Sequence, residues 1–202
     1  MTSVLAIDTA SARFALALSV EGNVVAAMEH EGEQEHSQQL LASIDRLLAG
    51  KRDRLAGIVI VRGPGSYAGL RVGMATAGGL ALALGIPVAG VGTLEAVALA
   101  AEDDANGVLA IHPAGRGEFA AQPFRAGQPE ADIDVLPAAE LAGERLAGEG
   151  AAELGGCEVV PEARARAALE LGLPRLRQAH GPVEALYVRA PNITAPRNGR
   201  RG

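Results

Sequence analysis

Apolar and polar residues alternate along the first hundred positions in blocks whose lengths fit short strands and longer helices. Apolar stretches bounded by polar turns predict strands, and apolar residues repeated three and four positions apart predict helices. The predicted order is β-β-β-α-β-α-β-α. Its members are strands at 3–8, 14–20, 24–28, 58–61 and 88–91, and helices at about 37–48, 67–84 and 93–102.

Capping residues mark where these helices begin and end. Ser37, Ser66 and Thr93 stand at predicted N-cap positions, because their hydroxyl groups accept hydrogen bonds from the free N–H groups of a first helical turn. Gly50 and Gly85 follow the first two helices and can adopt the left-handed conformation that ends a helix. The capping pattern therefore supports the helix boundaries.

The second half of the chain carries a weaker pattern, because alanine and glycine enrichment blurs the periodicity. A polar turn at 103–107 separates it from the first half. Strands are predicted at 108–111, 118–124 and 184–189, and helices at 138–146 and 162–171. We therefore predict a two-lobe α/β protein, with an N-terminal lobe at 1–104, a C-terminal lobe at 105–190 and a basic tail at 191–202.

Composition excludes several classes of protein. The 202 residues carry a formal net charge of -6 and only 2% aromatic residues, so neither a basic nucleic-acid clamp nor a row of stacking platforms is expected. The tail holds Arg197, Arg200 and Arg201, which fit a solvated chain end or a contact with RNA. These two interpretations of the tail stay open.

The expected subcellular location rests on the membrane and signal segments that the sequence lacks. No charge-free run of about 18 apolar residues is present, and the start lacks the basic and apolar segments of a secretory signal, so a cytoplasmic protein with no membrane contact is expected. Cys157 is the sole cysteine and cannot form an internal disulfide. We predict that it is a buried, inert thiol.

The glycine-proline-glycine loop before the second helix raises three possibilities. A phosphate-binding loop of the Walker type needs a lysine, but Lys51 is the only lysine of the chain, and the dinucleotide-binding glycine pattern is also missed. A nucleophile elbow would make Ser66 reactive, but Pro64 and Ala68 stand where its glycines belong. Ser66 is therefore interpreted as an N-cap, and anion binding at the helix start stays open.

Small residues recur along one face of the second helix. Gly69, Gly73 and Ala77 follow each other at intervals of four, which places them in one row. Such a row lets another element approach the helix backbone closely. Packing inside the monomer and contact with a partner helix explain it equally well.

Several segments together resemble the bacterial TsaB family, also called YeaZ. They are Leu5-Ala6-Ile7-Asp8-Thr9, His36-Ser37-Gln38-Gln39-Leu40-Leu41, the block from Arg62 to Gly73, and Gly79-Leu80-Ala81 through Gly85-Ile86-Pro87. The resemblance covers about residues 3 to 100 densely and thins beyond Gly107, where His112-Pro113-Ala114 departs from the Asp-Ala-Arg segment of the family. It implies the acetate kinase/Hsp70/actin-like fold with a degenerate second lobe.

The resemblance also implies a function. TsaB-like proteins are non-catalytic partners of the TsaD transferase, which makes N6-threonylcarbamoyladenosine at position 37 of transfer RNA, and a TsaE ATPase joins them. It further implies self-association when the partner is missing, transfer RNA contact only through the complex, and no cofactor of the chain's own, with ATP or ADP possible in the complex. The implied partner-binding residues are His36, Leu40, Leu41, Ile44, Leu48, Gly69, Arg71, Gly73, Ala75 and Leu82.

The residues themselves also predict a silent cleft. A kinase of this fold needs a glycine in its first phosphate hairpin, where this chain has Ala10, so Asp8 is interpreted as a turn residue rather than a metal ligand. His30 and His36 are six positions apart and cannot share one helical face, so no metal site is expected. An active kinase or glycoprotein peptidase of the same fold is the alternative.

Overall fold

A five-stranded mixed sheet forms the centre of the N-terminal lobe. The computed structural model describes residues 2–30, 36–49, 54–102, 106–179 and 181–189. In order along the chain this lobe has β1 Ser3–Asp8, β2 Phe14–Val20, β3 Asn23–His30, α1 His36–Leu48, β4 Leu55–Val61, α2 Tyr67–Leu84, β5 Val88–Val91 and α3 Thr93–Ala100. The strand order is β3-β2-β1-β4-β5, in which β1 pairs antiparallel with β2 and parallel with β4.

The two faces of this sheet differ in residue size, because side chains alternate along each strand. On β1 and β2 the larger residues, such as Ile7 and Leu16, face α1 and α2 and pack with Leu40 and Ile44. The alanines of the same strands, such as Ala6, face the opposite side. One face therefore holds bulky side chains, and the other leaves room for a closely packed helix.

That helix comes from the far end of the sequence. The remaining elements are β6 Val108–Gly115, β7 Glu118–Arg125, β8 Gln128–Pro129, β9 Asp134–Pro137, β10 Leu146–Gly148, β11 Cys157–Glu158 and α4 Pro161–Leu176. Helix α4 packs on the alanine face of the first sheet, where a Cβ added to Gly172 would lie only 2.5 Å from the methyl groups of Val59. The chain thus returns to its N-terminal lobe after forming the second sheet.

The second sheet has the order β11-β10-β6-β7-β8, and β9 pairs with β7. Helix α3 lies between the sheets: Ala96 belongs to the core of the first, whereas Leu94 and Val97 pack with residues of the second such as Phe124. The predicted lobe boundary at 104 falls within 103–105, which lie outside the described residues. The predicted tail at 191–202 lies outside them as well.

Most of the predicted elements are confirmed, and α2 has the predicted bounds. Ser66 and Gly85 cap α2 as predicted, whereas α3 has Gly92 at its N-cap and Thr93 inside its first turn. Helix α1 begins at His36, so Ser37 lies in its first turn and not at the predicted N-cap, and Gly50 lies outside the described residues. The capping rules therefore worked where a short polar side chain directly precedes the helix.

Three predictions for the second half are wrong. The helix predicted at 138–146 is a 3-10 turn, Ala138–Leu141, followed by strand β10, and Gly143 between them has a φ of 90° that a helix does not tolerate. Residues 184–189 form no strand, although Leu186 N donates to Arg62 O at 2.7 Å. Cys157 is exposed rather than buried, because β11 lies at the edge of its sheet.

Candidate functional site

The loop before α2 is held against the turn between β1 and β2. Ser66 N donates to Ala10 O at 2.6 Å, and the Ser66 hydroxyl accepts from Gly69 N at 3.2 Å. The hydroxyl therefore caps the helix, as the sequence predicts. His112 contacts Ala10 and Glu149 rather than Ser66, so this histidine is not placed to activate it as a nucleophile.

The row of small residues on α2 packs inside the chain. A Cβ on Gly69 would lie 2.1 Å from Thr9 O, and one on Gly73 would lie 2.2 Å from Thr9 Oγ1. Ala77 of the same row is buried in the core. The prediction that Gly69 and Gly73 contact a partner is corrected, because the β1–β2 turn already covers them.

Three predicted partner residues of α1 are also buried. Leu40, Ile44 and Leu48 pack against the bulky face of the first sheet, together with Leu16 and Ile58. A second protein cannot reach these side chains in the folded lobe. The prediction that they contact a partner is therefore corrected: they are core residues that hold α1 on the sheet.

The outer face of α1 and α2 carries the other predicted partner residues. Leu82 is 86% exposed and Leu41 is 46% exposed, and Arg71 and Ala75 are exposed on the same helix as Leu82. We call the exposed surface of Ala75, Gly78, Gly79 and Leu82, which share one side of α2, the apolar helix face. The side chain of His36, the remaining predicted residue, lies outside the described part of the chain.

Helix α2 also meets the length and composition criterion for a membrane span. Its 18 residues have a mean hydropathy of 1.2, and 22% of them are buried inside the fold. Helices that pack inside folded proteins meet the same criterion, and the glycine row of α2 is such a packed surface. One helix of this kind is weak evidence for a membrane, so the absence of membrane contact stays a prediction.

The junction between the lobes holds a buried cluster of charged side chains. Arg164 on α4 is fully buried, and its Nε donates to Asp8 Oδ2 at 2.9 Å. Its Nη1 donates to Glu149 Oε2 at 3.0 Å, and its Nη2 donates to the Ser11 hydroxyl. Ser11 in turn donates to Glu149. One guanidinium thus connects the end of β1, the β1–β2 turn, α4 and the segment after β10.

The charges in this cluster support each other. Burial alone lowers the pKa of Arg164, but the facing Asp8 and Glu149 carboxylates raise it above its usual value, so the guanidinium stays charged. Burial alone raises the pKa of Glu149, but the hydrogen bond from Ser11, the charge that His112 gains only at low pH and the charge of Arg164 bring it below its usual value. The cluster is therefore an ion-paired network.

His112 on β6 completes the junction from the side of the second sheet. Its Nε2 lies 3.3 Å from Ala10 O, and its Nδ1 is buried with no hydrogen-bond partner, 3.8 Å from Glu149 Oε2. Burial and then the charge of Arg164 lower the pKa of His112 to about 4. The ring is therefore neutral near pH 7 and carries its proton on Nε2, which donates to Ala10 O.

This geometry limits the chemistry of the cleft. Asp8 accepts from its own turn, Ala10 N at 2.9 Å, and from Arg164, as its interpretation as a turn residue predicts. Each oxygen of the Asp8 carboxylate thus already accepts a hydrogen bond, Oδ1 from Ala10 N and Oδ2 from the Arg164 guanidinium. Among the described residues, no group of three or more His, Cys, Asp or Glu side chains is placed to hold a metal ion.

Sequence analysis missed the members of this network other than Asp8. Glu149 and Ser11 lie in turns whose contacts depend on the whole fold. Arg164 does leave a signal, because Ala167 and Ala168 lie three and four positions after it on the buried face of α4. A charged residue on an otherwise alanine-rich buried face indicates a buried ion pair.

Comparison with known proteins supports a family assignment. The family model of the TsaD tRNA N6-adenosine threonylcarbamoyltransferases matches residues 23–156. The chain is 38% identical over 120 residues to the tRNA threonylcarbamoyladenosine biosynthesis protein TsaB of Escherichia coli, covering 57% of this chain and 52% of the relative. It is 36% identical over 100 residues to TsaB of Bacillus subtilis, covering 48% and 43%. The chain thus spans about half the length of these curated relatives.

The solved structure of YeaZ from Pseudomonas aeruginosa resembles this chain in fold. It superimposes with a TM-score of 0.71 at 23% identity, covering 91% of this chain and 96% of that chain. Together with the family model, this match confirms the predicted two-lobe actin-like fold.

Proposed function

We propose that this chain, which belongs to the TsaB (YeaZ) family, is a non-catalytic subunit that docks on a TsaD-type transferase during the synthesis of N6-threonylcarbamoyladenosine in transfer RNA. Its relatives in Escherichia coli and Bacillus subtilis are named as biosynthesis proteins for this modified nucleoside. The transferase supplies the chemistry, and this chain supplies a surface that holds it.

The apolar helix face carries this proposal. Leu82 leaves 86% of its surface exposed on a helix whose opposite side is buried in the core, and Leu41 of α1 is also exposed. A Cβ built on Gly78 or Gly79 would meet nothing within 4 Å, so a partner helix can approach the backbone of α2 closely here. Exposed apolar surface on packed helices is typical of a protein interface.

The junction between the lobes supports the non-catalytic part of the proposal. Asp8, at the end of the first strand, is already paired with the buried Arg164. A metal–nucleotide complex would have to displace this guanidinium and leave Arg164 without its carboxylate partners, which is unfavourable inside a protein. Nucleotide chemistry is therefore expected in the partner proteins and not in this cleft.

The proposal extends to the rest of the assembly. A TsaE-type ATPase joins the complex, any ATP or ADP is held by these partners, and the chain pairs with a second copy of itself through the apolar helix face when no transferase is present. Sedimentation velocity of the chain with and without the transferase separates these states. If self-pairing and transferase binding use the same face, the self-paired species should disappear as the complex with the transferase forms.

The decisive experiment uses a charged substitution on the apolar helix face. Leu82→Glu should weaken binding to a co-expressed TsaD-type transferase by about 30-fold or more, the size expected when a central interface residue is lost. Val25→Glu is the matched control, because Val25 is a 56% exposed apolar residue on β3, away from α1 and α2. Affinity is measured by sedimentation, and circular dichroism verifies that both variants fold.

Two results would contradict the proposal. One is unchanged binding by Leu82→Glu together with loss of binding by Val25→Glu, which would place the interface elsewhere. The other is threonylcarbamoylation or ATP turnover by this chain in the absence of any partner, abolished by Asp8→Ala.

A further inference from the structure

The only two tyrosines of the chain, Tyr67 and Tyr187, lie 120 positions apart in sequence and meet at the mouth of the inter-lobe cleft. Their ring centroids are 5.0 Å apart at an interplanar angle of 44°, and each residue is 40% exposed. The guanidinium of Arg71 lies 5.4 Å from the centroid of Tyr67 and donates to its hydroxyl at 2.9 Å. We call these three residues the tyrosine platform.

The platform borders an open cleft of ≈ 360 Å³ whose opposite wall is the hairpin between β6 and β7. Arg116 lies in the turn of this hairpin, and Arg189 lines the same cleft. Arg189 donates to the Glu118 carboxylate and, at 3.5 Å, to Ala114 O. Arg116 and Arg189 thus lie at the same cleft as the platform, which itself contains Arg71, and Glu118 is the nearby anion.

The sequence adds further positive charge after this point. Arg189 is followed within the last 13 residues by Arg197, Arg200 and Arg201, with no acidic residue among them. A chain with a net charge of -6 thus has two tyrosine rings and three arginines, Arg71, Arg116 and Arg189, at one cleft. Exposed aromatic rings beside arginines are the combination that binds unpaired bases and the phosphates between them.

We propose that the tyrosine platform is a contact site for single-stranded RNA, where an unpaired base stacks on the tyrosines and the arginines bind the neighbouring phosphates. The inference rests on the proposed function and deepens it, because it makes this chain a direct contributor to transfer RNA binding. The low aromatic content of the sequence argues against extended stacking, but one platform needs only these two rings.

The experiment measures binding of a fluorescently labelled single-stranded oligoribonucleotide to the full 202-residue chain at low salt. Tyr187→Ala should weaken binding about tenfold or more through the loss of a stacked base, whereas Tyr187→Phe should bind like the parent chain. Arg116→Gln should reduce the slope of log affinity against log salt by about 0.7, the contribution of one phosphate contact to single-stranded nucleic acid. Arg177→Ala is the control, an exposed arginine on the far end of α4.

Other outcomes overturn the inference. Absence of measurable binding by the parent chain, or equal weakening by Tyr187→Ala and Arg177→Ala, shows that the platform is not an RNA site. Full competition by an acidic polypeptide shows that the cleft takes a protein segment instead, and full competition by a mononucleotide shows a small-ligand pocket.

The two proposals fail separately. Leu82→Glu should lose the transferase and keep RNA binding, and Tyr187→Ala should lose RNA binding and keep the transferase. If the parent chain docks on the transferase but Tyr187→Ala leaves its RNA affinity unchanged, only the RNA site is refuted. If the parent chain binds RNA as predicted but does not dock on the transferase, only the scaffold function is refuted.

Discussion

Replacing Arg164 with methionine should destabilise the protein more than any surface substitution, because it leaves two carboxylates without their cation. The arginine is fully buried and so is Asp8, while the Glu149 side chain is 24% exposed. Removing one partner of a buried ion pair destabilises a protein by about 3–5 kcal/mol. For a chain of this length such a loss lowers Tm by about 6–20 °C.

Urea unfolding followed by circular dichroism measures this loss as a shift in the midpoint at constant m-value. Arg166→Met is the matched control, two positions along the same helix, where Arg166 pairs with Glu162 on the surface and contributes less than about 0.5 kcal/mol. In an Asp8→Asn background, Arg164→Met should destabilise by at least about 1 kcal/mol less than in the parent chain, because one of the stranded charges is already gone.

A buried ion pair is refuted if Arg164→Met destabilises the protein no more than Arg166→Met, or if the effect of Arg164→Met is the same with Asp8 and with Asn at position 8. Either result would mean that the guanidinium is exposed to water and does not connect the lobes. The cleft beside Asp8 would then be open to a cation, which would also weaken the argument for a silent site.

Three smaller predictions follow from local contacts. Gly73→Ala should destabilise the fold by about 1–3 kcal/mol, because the added Cβ would clash with Thr9. Gly78→Ala should instead stabilise it by up to about 1 kcal/mol, because its Cβ meets nothing and alanine has the higher helix propensity. The midpoints of urea unfolding distinguish the two effects. Since the pKa of His112 is about 4 in the folded protein and about 6.5 in the unfolded chain, the unfolded chain takes up the imidazole proton first as the pH falls, and the folded state loses stability between pH 6.5 and 4. His112→Gln should remove roughly 3 kcal/mol of this loss by pH 4, as measured by unfolding across pH 4–7. Ser66→Ala should lower stability by about 1 kcal/mol in the same assay, and no change would show that its cap is replaced by water.

Local sequence signals predicted the first lobe well. The bounds of α2 follow from Ser66 and Gly85, whose capping roles depend on a few neighbouring backbone groups. The second half was predicted less well, because its alanines fit either a helix or a buried face. The helix predicted at 138–146 does not form, because Gly143 adopts a positive φ that a helix does not allow, and the sequence alone does not reveal this conformation.

The candidate site was only partly predictable. The family resemblance implied a partner-binding role for the outer residues Leu41, Arg71, Ala75 and Leu82 of the two helices and, equally, for core residues of the same helices. It could not separate them, because apolar residues serve equally in a core and in an interface. Burial made that distinction: Leu40 faces the sheet and Leu41, the next residue, faces outward.

By itself the sequence determined the strand and helix order of the first lobe, the caps of α2 and the family, because these depend on the periodicity of neighbouring residues and on motifs contiguous in the chain. Only the tertiary structure decided that Arg164 pairs with Asp8, 156 positions away, and that Tyr187 lies on Tyr67. Contacts across such distances arise from the path of the whole chain, since α4 must return to the first sheet before its arginine can reach the end of the first strand.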